Sequence, residues 1–239
     1  MPRLGDCLPP LRRPLPGSAV LIEDFELDPP GHWPQAWGAL EDRRLRPITA
    51  QDTAAGRYPF RIRRECDNQF VRVRTEGIWT YVLYPNGERR IWNLHTHPVL
   101  YWNWRVRRLP RGAREDQRAI DDSAAGLMIT FSVNALGVPR TIRYVWSSTL
   151  PVGTVLSKGV WGNLKIVVVA SGPEGLNRWM SLVRDVRQDY RRLFGGEPPA
   201  IPLAIGLWSD SDSTQDQSEA DFDNLIALPS AELAMRLLP

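Results

Sequence analysis

Apolar and polar residues alternate in short runs along most of this chain, and turn residues separate the runs. The runs include "FVRVRTEG", "VLYWNWRVRRL", "AGLMITFSVN", "TIRYVWSSTL", "NLKIVVVASG", "LAIGLWSDS" and "FDNLIAL". A period of two places successive side chains on opposite faces of an extended strand. In the second run Leu100, Trp102, Trp104 and Val106 therefore share one face, and Tyr101, Asn103, Arg105 and Arg107 the other. Two tryptophans on one side mark that side as core, since burying such a ring is worth roughly 2–3 kcal/mol. The opposite side is expected to be wet. The same test places Leu127, Ile129, Phe131 and Val133 inward, together with Ile142, Tyr144 and Trp146.

"KIVVVA" is apolar on both faces, which predicts a central strand covered on both sides. The predicted cover is an amphipathic helix over residues 174–194, with apolar residues at 176, 179, 180, 183, 186, 190 and 193. Gly195, Gly196, Pro198 and Pro199 stop it after Phe194. Its other side carries Arg178, Arg184, Arg187, Arg191 and Arg192, read as a solvated face rather than an anion groove. Many short strands with one late helix predict an all-β fold, a sandwich or jelly roll. The expected layout is a flexible Pro/Arg-rich arm over 1–17, one sandwich domain over 18–229, and a tail over 230–239.

At 239 residues, 43% hydrophobic and 24% charged, the chain has the composition of an ordinary globular protein. All 30 basic residues are arginine except Lys158 and Lys165, and they are scattered among 27 acidic ones for a net charge of +3. Without a concentrated basic patch, nucleic acid is not an expected partner. No run approaches the roughly 20 apolar residues of a membrane helix, and "MPRLGDCLPPLRRPLPGSAV" lacks the apolar core of a signal peptide. The default expectation is a soluble cytoplasmic protein in which Cys7 and Cys66 are free thiols.

Few residues offer chemistry. His95 and His97 are spaced to present two imidazoles on one strand face, where Asp121 or Asp122 would complete a transition-metal site. Pro98 directly after His97 also fits a polar turn leading into the strand. "SDSDSTQDQSEADFDN" holds Asp210, Asp212, Asp216, Glu219, Asp221 and Asp223, enough oxygen for calcium yet without EF-hand spacing, and is read as a solvated hairpin loop. No GxSxG, P-loop or GxGxxG is present, so nucleophilic and nucleotide chemistry have no motif.

The ordered set "VLYWNWRVRRLPRG", "DDSAAGLMITF", "IRYVWSSTLPVGTV", "KIVVVASG", "VRQDYRRLFGGEPPAIPLAIGLWSDSDST" and "DFDNLIAL" resembles the bacterial family called domain of unknown function 3047. The resemblance spans residues 97–228 and carries no activity. It implies an export signal in many relatives, which the Pro-rich start here does not match. The opening "DFE" and closing "DFDNLIAL" also resemble the terminal strands of galactose-binding-like jelly rolls, the sandwich of many carbohydrate-binding modules. That likeness implies a structural calcium near Asp24, Glu26 and Asp223. Together these observations lead to the expectation of a non-catalytic module for carbohydrate or another polar ligand. Its candidate residues are Tyr101, Asn103, Arg105, Asp122, Trp146, Asp210 and Asp212. The alternatives are a metal-assisted hydrolase or lyase built on His95 and His97, and a structural envelope-associated protein.

Overall fold

The computed structural model describes residues 7–11, 14–41 and 44–238. Along the chain come β1 (Val20–Glu23), β2 (Gly38–Glu41), β3 (Arg44–Pro47), α1 (Ala50–Ala54), β4 (Phe60–Glu65), β5 (Asn68–Glu76), β6 (Trp79–Tyr84) and α2 (Asn86–Arg89). There follow β7 (Val99–Arg108), β8 (Ala125–Val133), β9 (Pro139–Ser147), β10 (Val155–Lys158), β11 (Leu164–Ser171) and β12 (Met180–Asp185). The chain closes with α3 (Val186–Phe194), β13 (Ala204–Asp210), β14 (Gln217–Leu228) and α4 (Ala231–Met235).

The strands form two sheets packed face to face as a jelly-roll β-sandwich. One sheet runs β12-β7-β14-β5-β4, with β1 also paired to β14. The other runs β10-β11-β9-β8-β13-β6-β2-β3. Alternation explains what lies between them. Leu100, Trp102, Trp104 and Val106 from β7 meet Leu127, Ile129 and Phe131 from β8, and Ile142, Tyr144 and Trp146 from β9, in one continuous core. Val133 departs from the expectation and is exposed, because the register of β8 on β9 shifts between Thr130 and Ser132.

The helix over 174–194 requires correction. Only Val186–Phe194 is helical, with the Asp185 carboxylate capping it by accepting from the Gln188 backbone N–H at 2.8 Å. Met180–Asp185 is instead an edge strand paired with β7 from Met180↔Trp104 to Asp185↔Val99. Its apolar residues satisfy either period, and the free hydrogen-bonding edge of β7 makes the strand the better-satisfied choice. The helix inserts Val186 and Tyr190 into the main core rather than covering β11. The outer face of β11 packs Ile166 and Val168 against Val145, Leu150 and Leu156.

The face of the six-stranded sheet expected to be wet is covered. Leu11, Leu15 and Ala19 from the N-terminal segment, and Ala234 and Leu233 from α4, pack over Tyr101, Ile226 and Leu228. The described part of the expected arm is thus laid on the sheet. Cys7 and Cys66 form a disulfide with Cα atoms 6.1 Å apart, so the free-thiol expectation is corrected. Cys66 and Asp67 take positive φ values of 51° and 65° in the β4–β5 turn, which carries the sulfur to the arm.

Candidate functional site

The sequence-derived candidates divide into three places. Tyr101, Asn103 and Arg105 are buried on the outside of the six-stranded sheet, which corrects their placement on a wet face. Tyr101 donates to Ser181 Oγ at 3.1 Å and Asn103 Nδ2 donates to the same oxygen at 2.8 Å. Arg105 donates from Nε to Asp221 Oδ2 at 2.8 Å and from Nη2 to Glu65 Oε2 at 2.7 Å. Its guanidinium lies 4.6 Å from the Trp179 ring centroid and 5.3 Å from that of Phe70. These groups satisfy one another and leave no face to a ligand. Trp146 lies in the core with Nε1 donating to the Gly172 carbonyl, so it too is withdrawn from a surface role.

Asp122, Asp210 and Asp212 do come together. A ligand oxygen from each lies within 4.8 Å of the others, and this is the one such trio among the described residues. Asp122 and Asp210 are buried, and Asp122 accepts from the Ser213 N–H at 3.0 Å and the Thr214 N–H at 2.7 Å. Burial first, then the charge of Asp122, pushes the Asp210 carboxyl from 3.8 up to about 8. The folded protein therefore holds a proton on Asp210 where the unfolded chain has released it, and stability falls as pH rises from about 4 to 8. Asp210→Asn removes this contribution. Melting curves across pH should show the variant gaining on the parent protein towards pH 8, and a constant gap would contradict the assignment.

The candidate calcium ligands lie elsewhere. Asp223 is fully buried, accepts from Asn68 Nδ2 at 2.8 Å, and is pushed well up by burial and then by the charges of Asp24 and Glu26. Glu26 accepts from the Gln69 N–H at 2.8 Å. These three share a neighbourhood without the convergence seen in the Asp122 trio. The long acidic segment is corrected as well: Gln217–Leu228 is strand, and the loop is confined to residues 211–216. His95 and His97 sit in a turn before β7, where His95 Nε2 meets the Pro198 carbonyl at 3.2 Å and His97 Nε2 the Ser18 carbonyl at 2.8 Å. Both rings are engaged with backbone, so the expectation of two metal ligands on a strand face is replaced by a turn.

The surface best shaped for a ligand is the outer face of the eight-stranded sheet. Register aligns Tyr81 with Trp208 and Trp79 with Asp210 across β6 and β13. The rings of Trp79, Tyr81 and Trp208 are nearly parallel, 9° to 16° apart, with centroids separated by 5.3–5.8 Å, which is offset stacking. On the far side of Trp208 the Arg143 guanidinium lies 3.7 Å from the ring centroid. It reaches there because Gly126, between β9 and β13, has no side chain: a Cβ would stand 3.2 Å from the Trp208 Cβ and 3.4 Å from Arg143 Cγ. Trp79, 52% exposed, ends the ladder.

Two hollows flank this ladder. One, about 420 Å³, is lined by Arg57, Tyr58, Ile78, Trp79 and Tyr81. The other, about 580 Å³, is a trough over β6, β13, β8 and β9 lined mainly by aliphatic side chains, with Arg143 and Trp208 at its wall. Sequence reasoning passed over the ladder, although "IWTYVLY" alternates aromatic residues in strand fashion.

Fold and surface define a jelly-roll sandwich whose open aromatic face lies outside its larger sheet. The chain belongs to the family described as a protein of unknown function, DUF3047, which matches residues 51–226. No curated protein matches it in sequence. Among solved structures it is similar to the family 11 carbohydrate-binding module of a cellulosomal cellulase of Clostridium thermocellum, with 11% identity over 89% of this chain and 95% of that one and a TM-score of 0.43. The family 30 module of another Clostridium thermocellum cellulosomal cellulase aligns over 89% of this chain and 98% of its own, with 13% identity and a TM-score of 0.45. A xyloglucanase domain from Sinorhizobium fredii, in complex with cellobiose, has 11% identity, 66% and 80% coverage and a TM-score of 0.38. No described helix is long and apolar enough to cross a membrane.

Proposed function

We propose that this protein is a non-catalytic module that binds carbohydrate on the outer face of its eight-stranded sheet. The observation that carries the reading is the Trp79–Tyr81–Trp208 ladder with its half-exposed end at Trp79. A pyranose ring presents axial C–H groups that stack on an aromatic face, and hydroxyls that need donors and acceptors around its rim. The hollow beside Trp79 offers both, with Tyr58 and Tyr81 as further aromatic wall and the Arg57 guanidinium as a forked donor. Asp212, in the carboxylate trio beyond the β13 end that faces Trp79 across the sheet, accepts from hydroxyls, while protonated Asp210 donates.

Glycan-array screening followed by calorimetry tests this directly. The account expects a glycan whose affinity drops at least tenfold in Trp79→Ala, with the melting temperature little changed because that ring is half in solvent. Unchanged affinity in that variant would remove the ladder from the site. Calcium at Asp24, Glu26 and Asp223 belongs to the same proposal, supported by the charges of Asp24 and Glu26 acting on the fully buried Asp223. Melting in calcium should exceed melting in chelator, and coincident curves would dismiss the ion.

A further inference from the structure

The trough on the other side of the ladder has a chemistry of its own. Leu83 and Met128 close over Gly206, where an added Cβ would lie 2.7 Å from Met128 Cε and 2.9 Å from Leu83 Cδ2. They give the trough a smooth aliphatic floor, extended by Leu45 and Leu203. Such a surface offers a sugar few hydrogen-bonding partners and suits a hydrocarbon chain, in a hollow of the size used for small molecules, roughly 300–1,000 Å³.

Its polar lining includes Glu88, Thr130, Thr141 and Asn163, and Arg143 is the one cation among them. Arg143 Nε and Trp208 Nε1 are both buried, and neither has an acceptor among the described residues. No described carboxylate lies within ion-pair distance of Arg143, whose contact is with the Trp208 ring at 3.7 Å. Burial lowers the guanidinium to about 10, so it stays charged at neutral pH. A buried Nε–H without an acceptor is unfavourable, and an anion delivered by a ligand relieves it. Donors that lack acceptors at one end of an aliphatic trough thus specify both halves of a ligand.

We propose that the trough binds an anionic amphiphile, an alkyl chain ending in a carboxylate or phosphate, with the chain along Leu83, Met128 and Leu203 and the head on Arg143. This site lies across the ladder from the Trp79 hollow and does not depend on the carbohydrate reading. The test is calorimetric titration of the full chain with dodecanoate, dodecyl phosphate and dodecanol, each below its aggregation limit. The acids should bind at least tenfold more tightly than the alcohol, and the better acid identifies the head group. Arg143→Met should bring the three to parity while leaving dodecanol affinity in place. Should Arg143→Met not fold, Met128→Trp, which fills the trough from its floor, should abolish binding of all three. Equal affinities for acid and alcohol in the parent protein, absence of binding, or retention of binding in Met128→Trp would overturn the proposal.

Discussion

Trp104→Ala should lower the unfolding free energy by about 3–5 kcal/mol, read from urea denaturation with an unchanged denaturant slope. Trp104 is fully buried at the centre of β7 and joins the two sheets through their aromatic side chains. Its ring meets Trp102 edge-on at 5.6 Å, Trp146 at 6.0 Å and Phe222 at 6.3 Å. Trp102 continues the cluster to Tyr144 at 5.7 Å. Truncation leaves a void that rings drawn from both sheets cannot close without moving strands, so the cavity adds to the lost transfer free energy. The indole Nε1 of Trp104 has no acceptor among the described residues. Trp104→Phe should therefore cost much less, because it removes volume at one edge without breaking a hydrogen bond. A loss below about 1 kcal/mol in the alanine variant would mean that the core is not organised around this ring.

Asp221→Ala should destabilise by a similar amount, about 3–5 kcal/mol, for an electrostatic reason. Its fully buried carboxylate accepts from Arg105 Nε at 2.8 Å and from Arg72 Nε at 2.6 Å, so it pairs with two guanidinium groups at once. Arg105 is held under Trp179 and beside Phe70, away from water, and loses its fully buried carboxylate partner once Asp221 is gone. Replacing both partners, in Arg105→Met with Asp221→Leu, should recover most of the loss, since the penalty comes from a stranded charge rather than from a missing attraction. Arg187→Ala provides the contrast. Arg187 pairs with Glu197 on the exposed side of α3, and its removal should change stability by less than about 1 kcal/mol. Equal effects at Asp221 and Arg187 would contradict the picture of a desolvated network.

The strand faces of β7, β8 and β9 were legible because a period of two sorts side chains regardless of what packs against them, and tryptophans declare the inner side. What covers the other face was not legible. Tyr101, Asn103 and Arg105 look like solvent-facing residues in the sequence, yet Trp179 comes to lie over Arg105, Ser181 bonds Asn103, and α4 with the N-terminal segment covers Tyr101. Residues 180–185 fit helix and strand equally, and only the open edge of β7 decides between the two. In the candidate site, Asp122, Asp210 and Asp212 were legible as neighbours, because turn-rich sequence placed each at a strand end. The alternation in "IWTYVLY" puts Trp79 and Tyr81 on one face, but their meeting with Trp208 depends on the register between β6 and β13, which are far apart in sequence.

The proposed ligand surface is the outer face of the eight-stranded sheet. The most direct test is a titration of the isotopically labelled protein with the best glycan from the array, following the indole N–H resonances of its tryptophans. The account predicts shifts at Trp79 and Trp208, while Trp102 and Trp104, sealed between the sheets, stay in place. Shifts confined to Trp179 or Trp161, with Trp79 silent, would place the ligand elsewhere and contradict the account.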